Sequence, residues 1–257
     1  MIRALWSRRH LVWALTRRQY DLRYRQSVMG LAWAVLAPLT TLGVATVVLD
    51  RVVRVDTGGS SYAVFALAGL VPWTFLTTAM NQGVQSVAIA QQVVTRLAFP
   101  RAALPLSMIG VSLVDLLVSL GLFGIFAYTF GDGIPGTVVW LPLLLIIEAA
   151  FVTGIVLLGA AVNVFARDVR VAVPLIVQLW LFVTPVLYPL SAVPPGLRRW
   201  FDLNPMTGLV ETFHAVLVRG RAPDPALLVP ALVGTAVALF AGTWYFAATE
   251  SRFADVI

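Results

Sequence analysis

The chain has 257 residues, 60% of them hydrophobic and only 12% charged, and its mean hydropathy of +0.89 excludes an ordinary soluble domain of this length. All 18 basic residues are arginine, and against 12 acidic residues they leave a net charge of +6. Beside long apolar runs that excess suits anionic lipid headgroups or a cytoplasmic partner better than nucleic acid. Without lysine there is no phosphate-binding loop ending in Gly-Lys-Ser/Thr, and without cysteine no disulfide, thiolate metal site or cysteine nucleophile.

Residues 1–28 are broken every few positions by Arg3, Arg8, Arg9, Arg17, Arg18, Arg23 and Arg25, so no cleavable apolar leader is expected. As one helix over 4–28, this segment gathers Arg3, His10, Arg17, Asp21 and Arg25 on one side and turns Leu5, Val12, Trp13 and Tyr20 away. That pattern predicts an amphipathic helix at the inner membrane interface, with a simple topogenic anchor as the alternative. Six apolar stretches follow, near 30–49, 62–83, 103–130, 139–163, 171–190 and 226–248, each about the 20 residues a spanning helix needs. The expected fold is an all-α integral membrane protein with six transmembrane helices. Pro38, Pro72, Pro105, Pro142, Pro174 and Pro185 lie in or beside the spans as candidate kinks. Six spans put both termini on one side. Placing 1–29, 84–102, 164–170 and the C-terminus inside collects twelve arginines, against Arg51, Arg54, Arg198, Arg199, Arg219 and Arg221 outside, so both termini are expected in the cytoplasm.

The second span carries a polar stripe, with Thr74, Thr78, Asn81 and Gln85 at helical spacing. It reads equally as the wall of a hydrated pathway or as glue between helices. The connection 84–102 has room for a short helix parallel to the membrane before Pro100 stops it. Asp115 in the third span and Glu148 in the fourth are carboxylates at costly depth, so each is either a functional group or, for Asp115 above all, a structural bond between helices. The connection 164–170 is compact and charged, with Arg167, Asp168 and Arg170 placed to dock on another protein or simply to be solvated. Trp33, Trp73, Trp140, Trp180, Phe182 and Tyr188 fit interfacial belts, or rings for stacking on sugars along a path. In the outer segment 191–225, Leu209, Val210, Phe213, Val216 and Leu217 recur at helical spacing, which predicts a short helix dipping back into the membrane. His10 and His214 make no metal pair, and Asp50, Asp56, Asp132, Asp202 and Asp224 are scattered singly, so neither a metal site nor an enzyme active site is expected.

Five blocks in order, DLRYRQSVMGLAWAVLAPL (21–39), LAFPRAALPLSMIGVSLVDLLVSL (97–120), NVFARDVRVAVPLIVQLWLFVTPVLYP (163–189), LNPMTGLVETF (203–213) and the terminal FADVI (253–257), resemble the ABC-2 type permeases that export polysaccharides such as O-antigen, capsule, teichoic acid and galactan. The resemblance implies a single transmembrane domain over 1–257. Residues 1–29 would be the interface segment, 30–190 spans one to five, 191–225 an outer pair of short re-entrant helices, and 226–257 the last span and tail. It implies a bacterial cytoplasmic-membrane half-transporter pairing with a second copy of itself and with two ABC nucleotide-binding subunits, carrying a lipid-linked polysaccharide. ATP and Mg would be bound by those subunits, with no cofactor in this chain, no catalytic residue, and contact with membrane lipid but not nucleic acid. The ATPase contacts it implies are Arg17, Arg18, Arg23 and Arg25 of the interface helix, Gln92, Arg96 and Arg101 of the coupling connection, and Arg167, Asp168 and Arg170 of the second turn. Trp73, Thr74, Thr78, Asn81, Asp115, Trp180 and Tyr188 are the expected wall of the path.

Overall fold

In a bilayer every backbone N–H and C=O must be satisfied within its own segment, so apolar runs of this length close as helices. A computed structural model describes residues 8–25, 29–30, 32–52, 57, 59–96 and 99–253 of the chain. In chain order the helices are α1 (Arg9–Tyr20), α2 (Ala32–Ala45), α3 (Tyr62–Gly83), α4 (Ser86–Ile89), α5 (Gln91–Arg96), α6 (Ala103–Phe130), α7 (Leu141–Phe165), α8 (Val169–Phe182), α9 (Pro195–Asp202), α10 (Pro205–Leu217) and α11 (Pro225–Thr249). π-helical turns extend α1 through Asp21–Arg25 and α2 through Thr46–Val52. Arg3, Leu5, Arg54 and the terminal block after Phe253 fall outside the described residues, as do the side chains of Arg51 and Arg96.

Among the described residues five helices are long and apolar enough to cross a membrane: Ala32–Asp50, Tyr62–Ile89, Ala103–Phe130, Gly136–Phe165 and Pro225–Arg252. They coincide with five of the six expected stretches. The stretch expected at 171–190 differs, because its helix α8 stops at Phe182 after 14 residues. That is about 21 Å of rise, short of a hydrocarbon core of about 30 Å. Pro185 has no N–H to donate and disfavours helical geometry at Thr184, and here, unlike at Pro174 inside α8, the chain has a place to turn. Beyond it the backbone turns inward, and the Val186 carbonyl lies so close to Gly69 of α3 that no side chain would fit there.

The bundle is organised around α3, with 78% of its best spanning window buried, against 17% for the first and last spans, which leave broad apolar faces for lipid or a partner. α7 and α11 meet through Gly154 and Gly242, where a Cβ on Gly242 would strike the Gly154 backbone. The outer segment folds as α9 and α10. Asn204 caps α10 by accepting from the Met206 N–H at 3.1 Å with Pro205 in the first turn, and Asp224 caps α11 the same way through the Ala226 N–H at 2.9 Å. The helix α10 is 13 residues long and buried from Met206 to His214.

Candidate functional site

At the arginine-rich end a second apolar core forms, separate from the main one. Val87, Val94 and Ala102 of the 84–102 connection pack there with Leu157, Ala160, Ala161 and Val164 of α7 and with Phe246 and Phe253 of the C-terminal end. The Phe246 and Phe253 rings meet edge to face at 5.2 Å. The connection is therefore built in and not loose. Instead of one short helix it forms two, α4 and α5, broken at Ala90. Arg101 ties it to the last span, since its backbone N–H donates to Glu250 Oε1 at 2.7 Å and its guanidinium to the Glu250 carbonyl.

The two arginine-bearing connections meet at one cleft of about 240 Å³, lined by Gln85, Ala88, Ile89, Gln91, Asn163, Val164, Arg167 and Arg170. Asn163 is buried; its Nδ2 donates to the Val84 carbonyl at 3.2 Å, while its Oδ1 has no hydrogen-bond partner among the described residues. Arg167, Asp168 and Arg170 are exposed beside it, and Gln92 is exposed on α5. The backbone of Arg96 ends α5.

α1 lies across α6, where Gly110 leaves just enough room for Thr16. Arg17 and Arg18 are exposed. Trp13, expected on the side away from the arginines, is also exposed and carries the Arg17 guanidinium over its ring at 5.5 Å. Arg25 pairs with Asp21 at 3.2 Å. Arg23, expected to face the ATPase, instead turns into the chain. It forms an ion pair with Asp115 Oδ2 at 2.8 Å, whose angle falls short of a hydrogen bond, and reaches Gln82 Oε1 at 3.4 Å. The buried Tyr24 donates its hydroxyl to Asp115 Oδ1. Asp115 thus bonds the interface segment to α6, and through Gln82 to α3, which answers the depth problem that the sequence raised.

Of the remaining expected path residues, Thr74, Thr78 and Asn81 are half-buried along α3. Thr74 donates to the Val71 carbonyl at 3.1 Å, and the Asn81 backbone carbonyl accepts from the Gln85 side chain. Asn81 Oδ1 has no hydrogen-bond partner among the described residues. Trp73 is buried in the core, edge-on to the half-buried Trp180 at 6.2 Å, so its ring is not presented to a lumen within this single chain. Trp180 donates its indole N–H to Asn204 Oδ1 at 3.1 Å, and Tyr188 donates its hydroxyl to the Phe182 carbonyl at 2.6 Å. Glu148 is completely buried, with neither carboxylate oxygen hydrogen-bonded among the described residues.

Sequence reasoning missed a cluster at the opposite end. Glu211 of α10, 2% exposed, pairs through Oε2 with Arg219 at 2.8 Å and accepts the Leu190 N–H on Oε1 at 3.0 Å. His214 Nδ1 stands 3.9 Å from that carboxylate, an electrostatic contact too long for a hydrogen bond, and its ring stacks on Phe65 at 4.0 Å. Burial alone would raise the Glu211 carboxyl, but His214 and Arg219 outweigh it and hold it at about 2. The available signal was the spacing of Glu211 and His214, one helical turn apart, with an arginine just past the helix end. Glu211 and Arg219 border a cavity of about 380 Å³ at this end, with Arg198, Ser191 and Thr57.

The described residues hold no group of three or more His, Cys, Asp or Glu side chains able to hold a metal ion. Residues 10–218 match the family described as ABC-2 type transporter. The O-antigen export system permease protein RfbA of Myxococcus xanthus is 29% identical over 259 residues, which cover 100% of this chain and 99% of that protein. Two proteins of the same name from Klebsiella pneumoniae are each 24% identical, over 248 and 250 residues, covering 96% of this chain and 95% of their own lengths.

Proposed function

From the premise that the chain belongs to the ABC-2 type transporter family, matched over residues 10–218, we propose that it is the permease subunit of an ATP-driven exporter moving a lipid-linked polysaccharide across the bacterial cytoplasmic membrane. Similarity to O-antigen export permeases along essentially the whole chain supports the substrate class. The observation that carries the mechanism is the second core: the 84–102 connection, the end of α7 and the C-terminal end share one apolar cluster beside a cleft rimmed by Arg167 and Arg170. A partner pressing there moves three elements as one body. In this reading two copies of the chain enclose the path, two nucleotide-binding subunits hold ATP and Mg and hydrolyse the nucleotide, and both termini lie in the cytoplasm.

The partner contacts are Arg17, Arg18 and Arg25 on the exposed side of α1, Gln92 and Arg96 on α5, and Arg167, Asp168 and Arg170 at the cleft. Arg23 and Arg101 act one step behind them, as internal ties to Asp115 and Glu250. ATP-driven closure of the partner then shifts the packed inner end and is relayed through Arg23 and Asp115 to α3 and α6, a rigid-body change between two packings. Thr74, Thr78 and Asn81 line the path once two copies face each other, with Trp180 and Tyr188 nearer the outer end.

The test is charge reversal at the cleft. Arg167→Glu with Arg170→Glu should reduce co-purification of the ATPase at least tenfold and abolish export, leaving the chain in the membrane. Undiminished co-purification together with normal export contradicts the assigned contact. An exporter of a drug or small lipid is the competing reading. Deleting the gene separates them, because loss of surface glycan supports the proposal and raised drug sensitivity with intact glycan supports the rival.

A further inference from the structure

The helix α9, Pro195–Asp202, has two unlike sides. At 100° per residue, Leu203, Trp200, Leu197 and Phe201 fall within an arc of about 160°, while Arg198, Asp202 and Arg199 take the rest. The apolar side is turned outward: Leu197 is 51%, Trp200 67% and Leu203 63% exposed. On the polar side Arg198 donates to the carbonyls of Val193 at 3.3 Å and Ser191 at 3.1 Å and borders the cavity beside Glu211, while Arg199 and Asp202 are exposed and Phe201, at the edge of the apolar arc, is half-buried. The apolar side thus lies open, with the chain itself covering only one of its residues, and that in part.

We propose that α9 is a membrane-surface anchor, lying flat on the bilayer at the end opposite the inner connections. Leu197, Trp200 and Leu203 enter the acyl boundary, and Arg199 faces anionic phospholipid headgroups. This rests on the reading of the chain as membrane-spanning, and on nothing about its substrate.

Three observations favour lipid. α9 is followed directly by α10, which is buried in the bundle from Met206, and then by α11, which starts at Pro225 and is long and apolar enough to span a membrane. A tryptophan on the apolar side with arginines opposite is the composition of an interfacial helix. The three outward side chains offer on the order of 300 Å², well short of the ~800 Å² that each partner buries in a standard protein interface. Because Arg198 fastens α9 to the 191–193 backbone, next to the Leu190 N–H that Glu211 holds, the anchor fixes the rim of the cavity beside Glu211 to the bilayer.

The chain has no cysteine, so single-cysteine variants need no background removal. Trp200→Cys, Leu203→Cys and Arg199→Cys, each in the full chain with its ATPase, would carry a nitroxide in vesicles of phosphatidylethanolamine and phosphatidylglycerol. The ratio of oxygen to nickel-chelate accessibility should be at least fivefold higher at 200 and 203 than at 199. Replacing phosphatidylglycerol by phosphatidylcholine should lower the ratio at 200. Equal, water-like ratios at all three positions overturn the anchor. So does dipolar broadening between labels at position 200 of two copies, which would make this face a contact between chains. ATPase binding and glycan export measured on the same samples report separately on the proposed function.

Discussion

Asp115→Leu is expected to cost about 3 kcal/mol, the low end of the range for removing one partner of a buried ion pair because the Arg23 side chain is 33% exposed, since it takes the carboxylate from the Arg23 guanidinium and the Tyr24 hydroxyl at the face of α6. The loss should appear as a lower unfolding temperature in detergent and as new protease sensitivity in the interface segment, whose tie to the bundle is gone. Arg23→Met combined with Asp115→Leu removes both charges, and replacing a buried pair by apolar groups is often neutral or stabilising. The double variant should therefore recover most of the stability while export stays low, since the link from the inner end to α3 through Gln82 is still broken. Full recovery of export by the double variant would reduce Asp115 to a packing element. A single variant as stable as the wild type would remove the link altogether.

Glu211→Gln should have the second largest effect, at the other end of the chain. The Glu211 carboxyl is held at about 2, below its ordinary 4.5, despite the burial that opposes this. A depressed carboxyl contributes stability that is complete above the unfolded value of 4.5 and is lost as pH falls toward 2. At about 1.4 kcal/mol per unit the contribution is at most about 3.5 kcal/mol, and solvent around Arg219, whose side chain is 37% exposed, trims it below about 3 kcal/mol. The wild type should lose this increment between about pH 4.5 and 2, whereas the Gln variant starts lower at pH 7 and shows a correspondingly flatter fall. Parallel pH curves for the two proteins would show that the cluster contributes no such linkage.

Length and hydropathy were enough to read α3 and α6, since 62–83 and 103–130 are predominantly apolar runs of spanning length, and their helices have those same limits. Proline set the other limit of that reading. Pro38, Pro72, Pro174 and Pro230 sit inside helices, whereas Pro185 ends one, and nothing local to the residue distinguishes the cases. What differs is the neighbour, because Gly69 makes room for the turned-in Val186 carbonyl. The partners of Asp115 were invisible for the same reason. Tyr24 is 91 residues away in sequence, in a segment whose arginines all looked equally available to a partner protein. Only packing of α1 on α6 separates Arg23, which turns inward, from Arg17 and Arg18, which stay exposed. The connections at 84–102 and 164–170 were legible as charged and mechanically placed. That they share a cleft and a core depends on α7 bringing Asn163 against Val84, a contact across 79 residues.

Asp115 also bears on a reading of a different class, an ion-coupled secondary transporter working through the buried carboxylates Asp115 and Glu148 without an ATPase. A carboxylate already engaged by Arg23 and Tyr24 is a poor carrier of a coupling proton, and Glu211 is held by Arg219, so Glu148 is the buried carboxylate without an ion pair among the described residues. The decisive measurement is translocation in proteoliposomes containing the purified chain, its partner ATPase and a lipid-linked polysaccharide. Polymer should become accessible on the far side only with hydrolysable ATP and with Arg167 and Arg170 intact. Translocation driven by a proton gradient without the ATPase would contradict the account.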